Sequence, residues 1–333
     1  TVKDSFLELS YKKAEALTEE ERGFLLNNFF SINKDKVISL FPRYYELFFR
    51  RQKGLSFDTQ DLLDLQVLFN LAWVDPLFRE KYKTLKDAVK KGRFFTEEEK
   101  HSVLDTQLII LEEIIPGYRK AGEGGRLEFS VTPYYHPILP LLATTNSAKE
   151  ANLRSRLPGK EFKYPFDARE QILSAVKFYE ERFKINPSGM WPSEESVSEK
   201  ILPYIIESGI NWIVTDEAIL FKSFNKRKRD TALLYQPHLL KRKAGALNVV
   251  FRDRNLSDLI GFVYHNWKAE NAAADFINHL ENINKAFKGK DTLVTIAMDG
   301  ENAWEYFTND GHDFLNALYI RLSESKTIKT TTV

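Results

Sequence analysis

The sequence predicts an α/β fold built on a parallel sheet or barrel with crossover helices. Two observations predict it. From about residue 125 onward, short apolar and β-branched runs alternate with stretches of helical periodicity, the pattern that parallel strands joined by helices produce. Several of those runs also end abruptly in acidic or basic residues, as at Phe251-Arg252-Asp253 and Ala297-Met298-Asp299. In such folds the chemistry sits at the C-terminal ends of the strands.

The elements follow in order. Before residue 125 the chain reads as long helices. Glu19 to Ile32 carries Phe24, Leu25 and Phe29, and Thr18 with Glu21 three positions later fits a capping box. Thr96 with Glu99 repeats that signal ahead of Val103 to Ile115, a helix expected to stop at Pro116-Gly117. Leu127 to Val131 is a short strand pattern. Asp167 to Phe183 is a helix, with Ile172, Val176, Tyr179 and Phe183 on one face. Ile210 to Val214, Leu247 to Phe251 and Leu293 to Ala297 are buried-strand patterns, and Asp313 to Leu322 is the last helix. Thr327 to Val333 is β-branched and reads as a final strand. Both ends look cut, and a flanking strand is expected before residue 1. The expected organisation is a helical region over 1–125 and the main barrel over 126–333, integrated as one catalytic domain.

Composition narrows the function classes. The chain has 333 residues, 43% of them apolar and 29% charged, which excludes disordered and low-complexity classes. Its 48 Lys+Arg and 47 Asp+Glu leave a formal net charge of +1, so nothing marks it as a nucleic-acid or anionic-membrane binder. No apolar run approaches the length of a membrane span, and the opening TVKDSFLELS is not a signal peptide. A cytoplasmic location is the expectation. There is no cysteine, which removes disulfides, thiolate metal sites and cysteine nucleophiles together.

Four segments carry the chemistry. In MDGENAWE, residues 298–305, a strand pattern delivers Asp299, Gly300, Glu301 and Asn302 onto a loop ahead of Trp304. Asp299 or Asn302 would equally cap a helix beginning at Ala303. In GMWPSEESVSEK, residues 189–200, Trp191 and Pro192 stiffen the approach to Glu194. The structural alternative makes Glu194 and Glu195 helix-start carboxylates, and Ser196 with Glu199 fits a capping box. In FRDRNLSDLIGF, residues 251–262, Arg252, Asp253 and Asp258 offer partners for sugar hydroxyls and a charged environment for carboxylates. The alternative is an Arg252–Asp253 ion pair with Ser257 or Asp258 as an N-cap. In RLEFSVTPYYHPILPLL, residues 126–142, His136 follows two tyrosines between prolines, a surface suited to stacking a ring.

Aromatics beside carboxylates suit carbohydrate, whose faces are apolar and whose rims are hydroxyls. Glycosidic cleavage needs one carboxyl to protonate the leaving oxygen and another to attack or stabilise the anomeric centre. Glu194 and Asp299 lie about a hundred positions apart, so they meet only if two strands bring their ends together. A metal-dependent barrel hydrolase, such as a carbohydrate deacetylase using His136 with Asp253 or Asp258, is disfavoured because no close His/Asp pair has ligand spacing.

These segments, in this order, resemble glycoside hydrolase family 57, in its α-amylase and amylopullulanase type. The likeness extends to FNLAWVDP (69–76), YPFDAREQI (164–172), NWIVTDEAIL (211–220) and GHDFLNALYIRL (311–322), and so covers most of the chain. The resemblance implies an incomplete (β/α)7 barrel related to the TIM barrel, with long helical insertions. It implies a retaining hydrolase acting on α-glucans such as starch, glycogen and maltooligosaccharides, without cofactor or metal, and leaves open whether α-1,6 bonds are cleaved besides α-1,4. Glu194 would be the nucleophile and Asp299 the general acid/base. His136, Trp191, Arg252, Asp253, Asp258 and Trp304 would bind substrate, and Glu195 would be a bystander. Retention implies carboxyls about 5–5.5 Å apart and a buried, proton-holding Asp299. One departure stands out: the family's His-Gln-Pro segment on the opening strand has no counterpart here. A 4-α-glucanotransferase or branching enzyme of the same family is the alternative within this chemistry, and an inactive glucan-binding barrel is the alternative outside it.

Overall fold

The structure, a computed structural model, describes residues 4–125, 127–288, 290–300 and 304–333. It divides into two compact units. The first comprises 1–116, 264–272 and 300–317; the second comprises 117–263, 273–299 and 318–333.

The first unit is helical. Its core gathers Leu25, Tyr44, Leu62, Leu65, Leu68 and Leu85 from four helices, with Phe29 and Phe95 from the connections beside them. The capping box at Thr18 and Glu21 forms as expected, and Thr96 exchanges the same two bonds with Glu99, at 2.8 and 3.3 Å. A third box, Asp58 with Asp61, starts the helix Thr59–Ala72. Buried Arg43 is held by Asp61 at 2.6 Å and Asp64 at 2.9 Å, so the charges inside this core are paired. Two later segments join the unit: His312 Nε2 lies 2.9 Å from Asp75 Oδ2, and Lys36 Nζ donates to Thr308 Oγ1 at 3.1 Å.

One helix boundary is corrected. The helix runs Glu97–Glu123, straight through Pro116. Proline removes one donor and crowds the carbonyl four residues back, yet Leu111 is exposed and so is Tyr118. On such a wet face the freed carbonyl of Glu112 can bond to water, and the helix continues.

The second unit holds one five-stranded sheet in the order β1-β2-β3-β5-β4. The strands are β1 (Ser130–Val131), β2 (Gly189–Met190), β3 (Trp212–Asp216), β4 (His238–Arg242) and β5 (Gly245–Arg252). Strands β1, β2, β3 and β5 are parallel neighbours, while β4 pairs antiparallel with β5 through a tight hairpin. The segment 293–297 adds a parallel bridge, Thr295 beside Arg252, instead of the full strand its β-branched run predicts. Helices Pro165–Phe183 and Leu202–Glu207 are the crossovers. This parallel-rich sheet with many helices fits a (β/α)7 barrel.

The side-chain period of two explains the two faces of the sheet. Met190, Ile213, Leu247, Val249 and Phe251 pack with the helices, against Ile172, Ile201 and Ile205. Trp191, Trp212, Val214, Val250, Leu293 and Ala297 form a smaller cluster on the opposite face. Continuing that face past the strand ends leads to Asp216, Arg252 and Asp299. The β-branched tail 327–333 makes no strand among the described residues; propensity alone does not hold a strand without pairing along its length.

No helix among the described residues is long and apolar enough to cross a membrane.

Candidate active site

The site is built at the C-terminal ends of β1, β2, β3, β5 and the 293–297 segment. After β2 the chain passes Trp191, whose N–H donates to Val131 O at 2.9 Å, and Pro192. It then makes one 3-10 turn at Ser193–Glu195. Both acidic residues there have left-handed backbones, with φ 54° at Glu194 and at Glu195. Neither is therefore a helix-start carboxylate. Two adjacent non-glycine residues in this region cost roughly 1–3 kcal/mol each and persist only where surroundings over-determine them, typically at functional sites. Here Glu195 N donates to Pro192 O at 2.8 Å and Ser196 N to Ser193 O at 3.1 Å. Thr215 Oγ1, from β3, donates to Glu195 O at 2.6 Å.

The turn sends the two carboxyls into different environments. Glu194 is exposed and lies 3.3 Å from His136 Nε2. His136 has φ 55° and sits beyond β1, its Nδ1 3.4 Å from Thr132 Oγ1. Beside it Tyr134 and Tyr135 are exposed, their rings edge to face at 4.8 Å.

Glu195 is buried, at 7% exposure. Burial pushes its carboxyl up to about 7, helped by the charges of Asp216 and Asp299 and opposed by Arg252 and Arg254. The sign for stability follows. Between pH 4.5 and about 7 the folded chain holds a proton that the unfolded chain has released, so stability falls as pH rises through that window. The total is about 3 kcal/mol. Melting temperatures between pH 4 and 8 should show this decline, and Glu195→Gln should flatten it.

At the end of β5, Arg252 reaches Asp258 in a close ion pair, with Glu195 Oε2 at 3.9 Å on its other side. The Arg252–Asp253 pair does not form. Asp253, 1% exposed, accepts from Arg229 at 2.7 Å and from Tyr235 Oη at 2.7 Å. It also caps the helix Arg254–Asp258 through Leu256 N at 3.0 Å. That cap belongs to Asp253, not to Ser257 or Asp258, because Asp253 is the last extended residue before the helical turn. Arg229 also binds Glu217 at 3.0 Å, and Asp216 pairs with Arg254 Nε at 3.0 Å. Acids at the exits of β3 and β5 are thus held by arginines.

Asp299 follows the 293–297 segment and is exposed, against the expected burial. The reason is local: Ala297 is the last buried residue of that segment and its chain leaves the sheet there. Glu301, Asn302 and Ala303 lie outside the described residues. Trp304 belongs to the first unit, where its ring packs on Phe307 at 5.5 Å and over Gly311. Ser196 and Glu199 form no capping box; Glu199 pairs instead with Arg242.

The structure thus gathers Glu194 with His136, and Arg252 with Asp258 and Glu195, with the Asp299 charge felt by Glu195. Asp253 sits behind them in protein contacts. Asp216, Glu217, Arg229 and Arg254 join the network; the first two lie within NWIVTDEAIL and Arg254 within FRDRNLSDLIGF without being singled out there, while Arg229 carries no sequence signal. No group of three or more metal-ligating side chains occurs among the described residues.

A parallel-rich α/β sheet with acids and arginines at its strand exits, on a motif order shared with carbohydrate-active proteins, defines the class. The chain belongs to glycosyl hydrolase family 57, whose sequence model matches residues 11–333. A stretch of 118 residues is 30% identical to Alpha-amylase 1 of Dictyoglomus thermophilum, covering 34% of this chain and 14% of that protein's length. The fold is similar to that of the α-amylase AmyC from Thermotoga maritima, with a TM-score of 0.54 at 15% identity over 96% of this chain and 70% of that one. It is likewise similar to a branching enzyme from Pyrococcus horikoshii, with a TM-score of 0.53 at 17% identity over 96% of this chain and 65% of that one.

Proposed function

We propose that the protein is a retaining glycosidase acting on α-glucans, with its sheet forming the main part of a (β/α)7 barrel. The observation that carries this reading is that Glu194, Arg252 and Asp299 lie at or just past the C-terminal ends of β2, β5 and the 293–297 segment, all in one parallel run with β3 between the first two. That is where barrel chemistry resides.

In the proposed reaction Asp299 donates its proton to the glycosidic oxygen while Glu194 attacks the anomeric carbon. The C–O bond breaks, the leaving sugar carries the proton away, and a glycosyl ester remains on Glu194. Asp299, now a base, takes a proton from water as it attacks the same carbon, which frees Glu194. His136, 3.3 Å from Glu194, steadies the carboxylate before attack. Tyr134, Tyr135 and Trp191 supply apolar faces for sugar rings, and Arg252 with Asp258 meets hydroxyls. Asp253 contributes through Arg229 and Tyr235, whose positions it fixes.

Incubation with maltoheptaose, read by reducing-end release and chromatography, tests this. Shorter products are expected from hydrolysis. Products longer than the substrate would assign transfer, as in a glucanotransferase or branching enzyme. Binding to amylose with no product would assign a non-catalytic glucan binder. In the active case, Asp299→Asn should lower turnover by about 100-fold or more.

A further inference from the structure

We propose that Glu195 is a positioning residue: it grips the Arg252 guanidinium from the buried side while Asp258 grips it from the exposed side. Together they fix where Arg252 directs its charge at the site. The inference rests on the functional reading above, and it gives the neighbour of Glu194 a role that the family motif leaves empty.

Three observations carry it. First, the consecutive left-handed residues separate the adjacent carboxyls: the Glu194 side chain is 70% exposed and that of Glu195 9%. The Glu195 backbone is pinned by Thr215, so its inward aim is fixed by β3.

Second, as at Ser193 Oγ in the same turn, two buried polar atoms lack a hydrogen-bond partner among the described residues, Glu195 Oε1 and Arg252 Nε. One is an acceptor and the other a donor. They sit on side chains whose nearest charged atoms, Glu195 Oε2 and Arg252 Nη1, are already 3.9 Å apart. Unpartnered buried groups are costly; here Glu195 meets the guanidinium at Nη1 while Asp258 takes Nη2, so two carboxylates hold its outer end between them.

Third, charges at three strand exits act on Glu195: Arg252 at the end of β5 with Arg254 beyond it, Asp216 at the end of β3, and Asp299 after the 293–297 segment.

The test is a double-mutant cycle of Glu195→Gln, Arg252→Lys and both together, in the full chain, with maltoheptaose as probe. Each single variant is expected to lower kcat/KM by about tenfold, chiefly through KM for Arg252→Lys. The double variant is expected to be no worse than Arg252→Lys alone. The pH–rate profile of the parent should show an inflection near neutrality that Glu195→Gln removes while Arg252→Lys only displaces it. Fully additive losses, or an unchanged profile in Glu195→Gln, would overturn the proposal. If the parent releases no product, the functional reading fails separately. The cycle is then read in denaturation midpoints at pH 8, where additive shifts overturn the Glu195–Arg252 grip and non-additive shifts support it.

Discussion

Glu194→Gln is expected to reduce turnover of maltoheptaose by about four orders of magnitude or more, with the fold intact. The magnitude reflects the role: an amide cannot form the glycosyl ester, and removing a nucleophile generally costs nearly all the catalysis its group of residues provides. The fold should be indifferent because the Glu194 side chain is exposed and, among the described residues, its close polar partner is His136. The turn that bears it is held by backbone bonds and by Thr215, none of which involve the carboxyl. Steady-state kinetics beside a thermal melt checks both halves. Hydrolysis within a few-fold of the parent would remove Glu194 from the nucleophile's position, and a collapsed melt would show the turn depends on the carboxylate.

Gly189→Ala is expected to be the most damaging small substitution in the second unit. Gly189 of β2 pairs in register with Trp212 of β3, and the indole lies over it to donate Nε1–H to Glu128 Oε1 at 2.8 Å. A methyl at Gly189 would sit 2.0 Å from Trp212 Cε2. A rigid ring flanked by strands cannot retreat as a flexible side chain does, so a loss of about 3 kcal/mol or more is expected. Gly23 makes the comparison. It lies inside the helix Glu19–Asn28 with nothing within 4 Å of an added Cβ, so Gly23→Ala should stabilise by about 0.5–1 kcal/mol. Urea denaturation of the two variants reads both signs.

The contrast between Glu194 and Glu195 shows what a sequence discloses and what it withholds. Strands β3 and β5 were legible because continuous Val, Ile and Phe runs report burial directly, though β3 lies two residues further along than its apolar run predicts. The acids at strand exits were legible as a pattern, since each follows such a run. The division of labour between two adjacent glutamates was not. It depends on a pair of left-handed backbone angles that no local preference for Glu announces, and on Thr215, which only folding brings near. Pro116 erred in the other direction: proline marks a helix end only where the freed carbonyl has no other partner, and that depends on exposure. The role of Asp253 was likewise hidden, because its partners Arg229 and Tyr235 precede it by about twenty residues and carry no motif.

The threading of the helical unit has a consequence during synthesis on the ribosome. Among the described residues, its main apolar core draws on those between Leu9 and Ile110, so it is able to collapse as soon as that stretch emerges. The segments that meet Asp75 and Lys36 through His312 and Thr308 arrive about two hundred residues later. At about 5–20 residues per second, the nascent chain displays that uncovered patch for at least about ten seconds, a window in which chaperones or proteases find a nearly finished half.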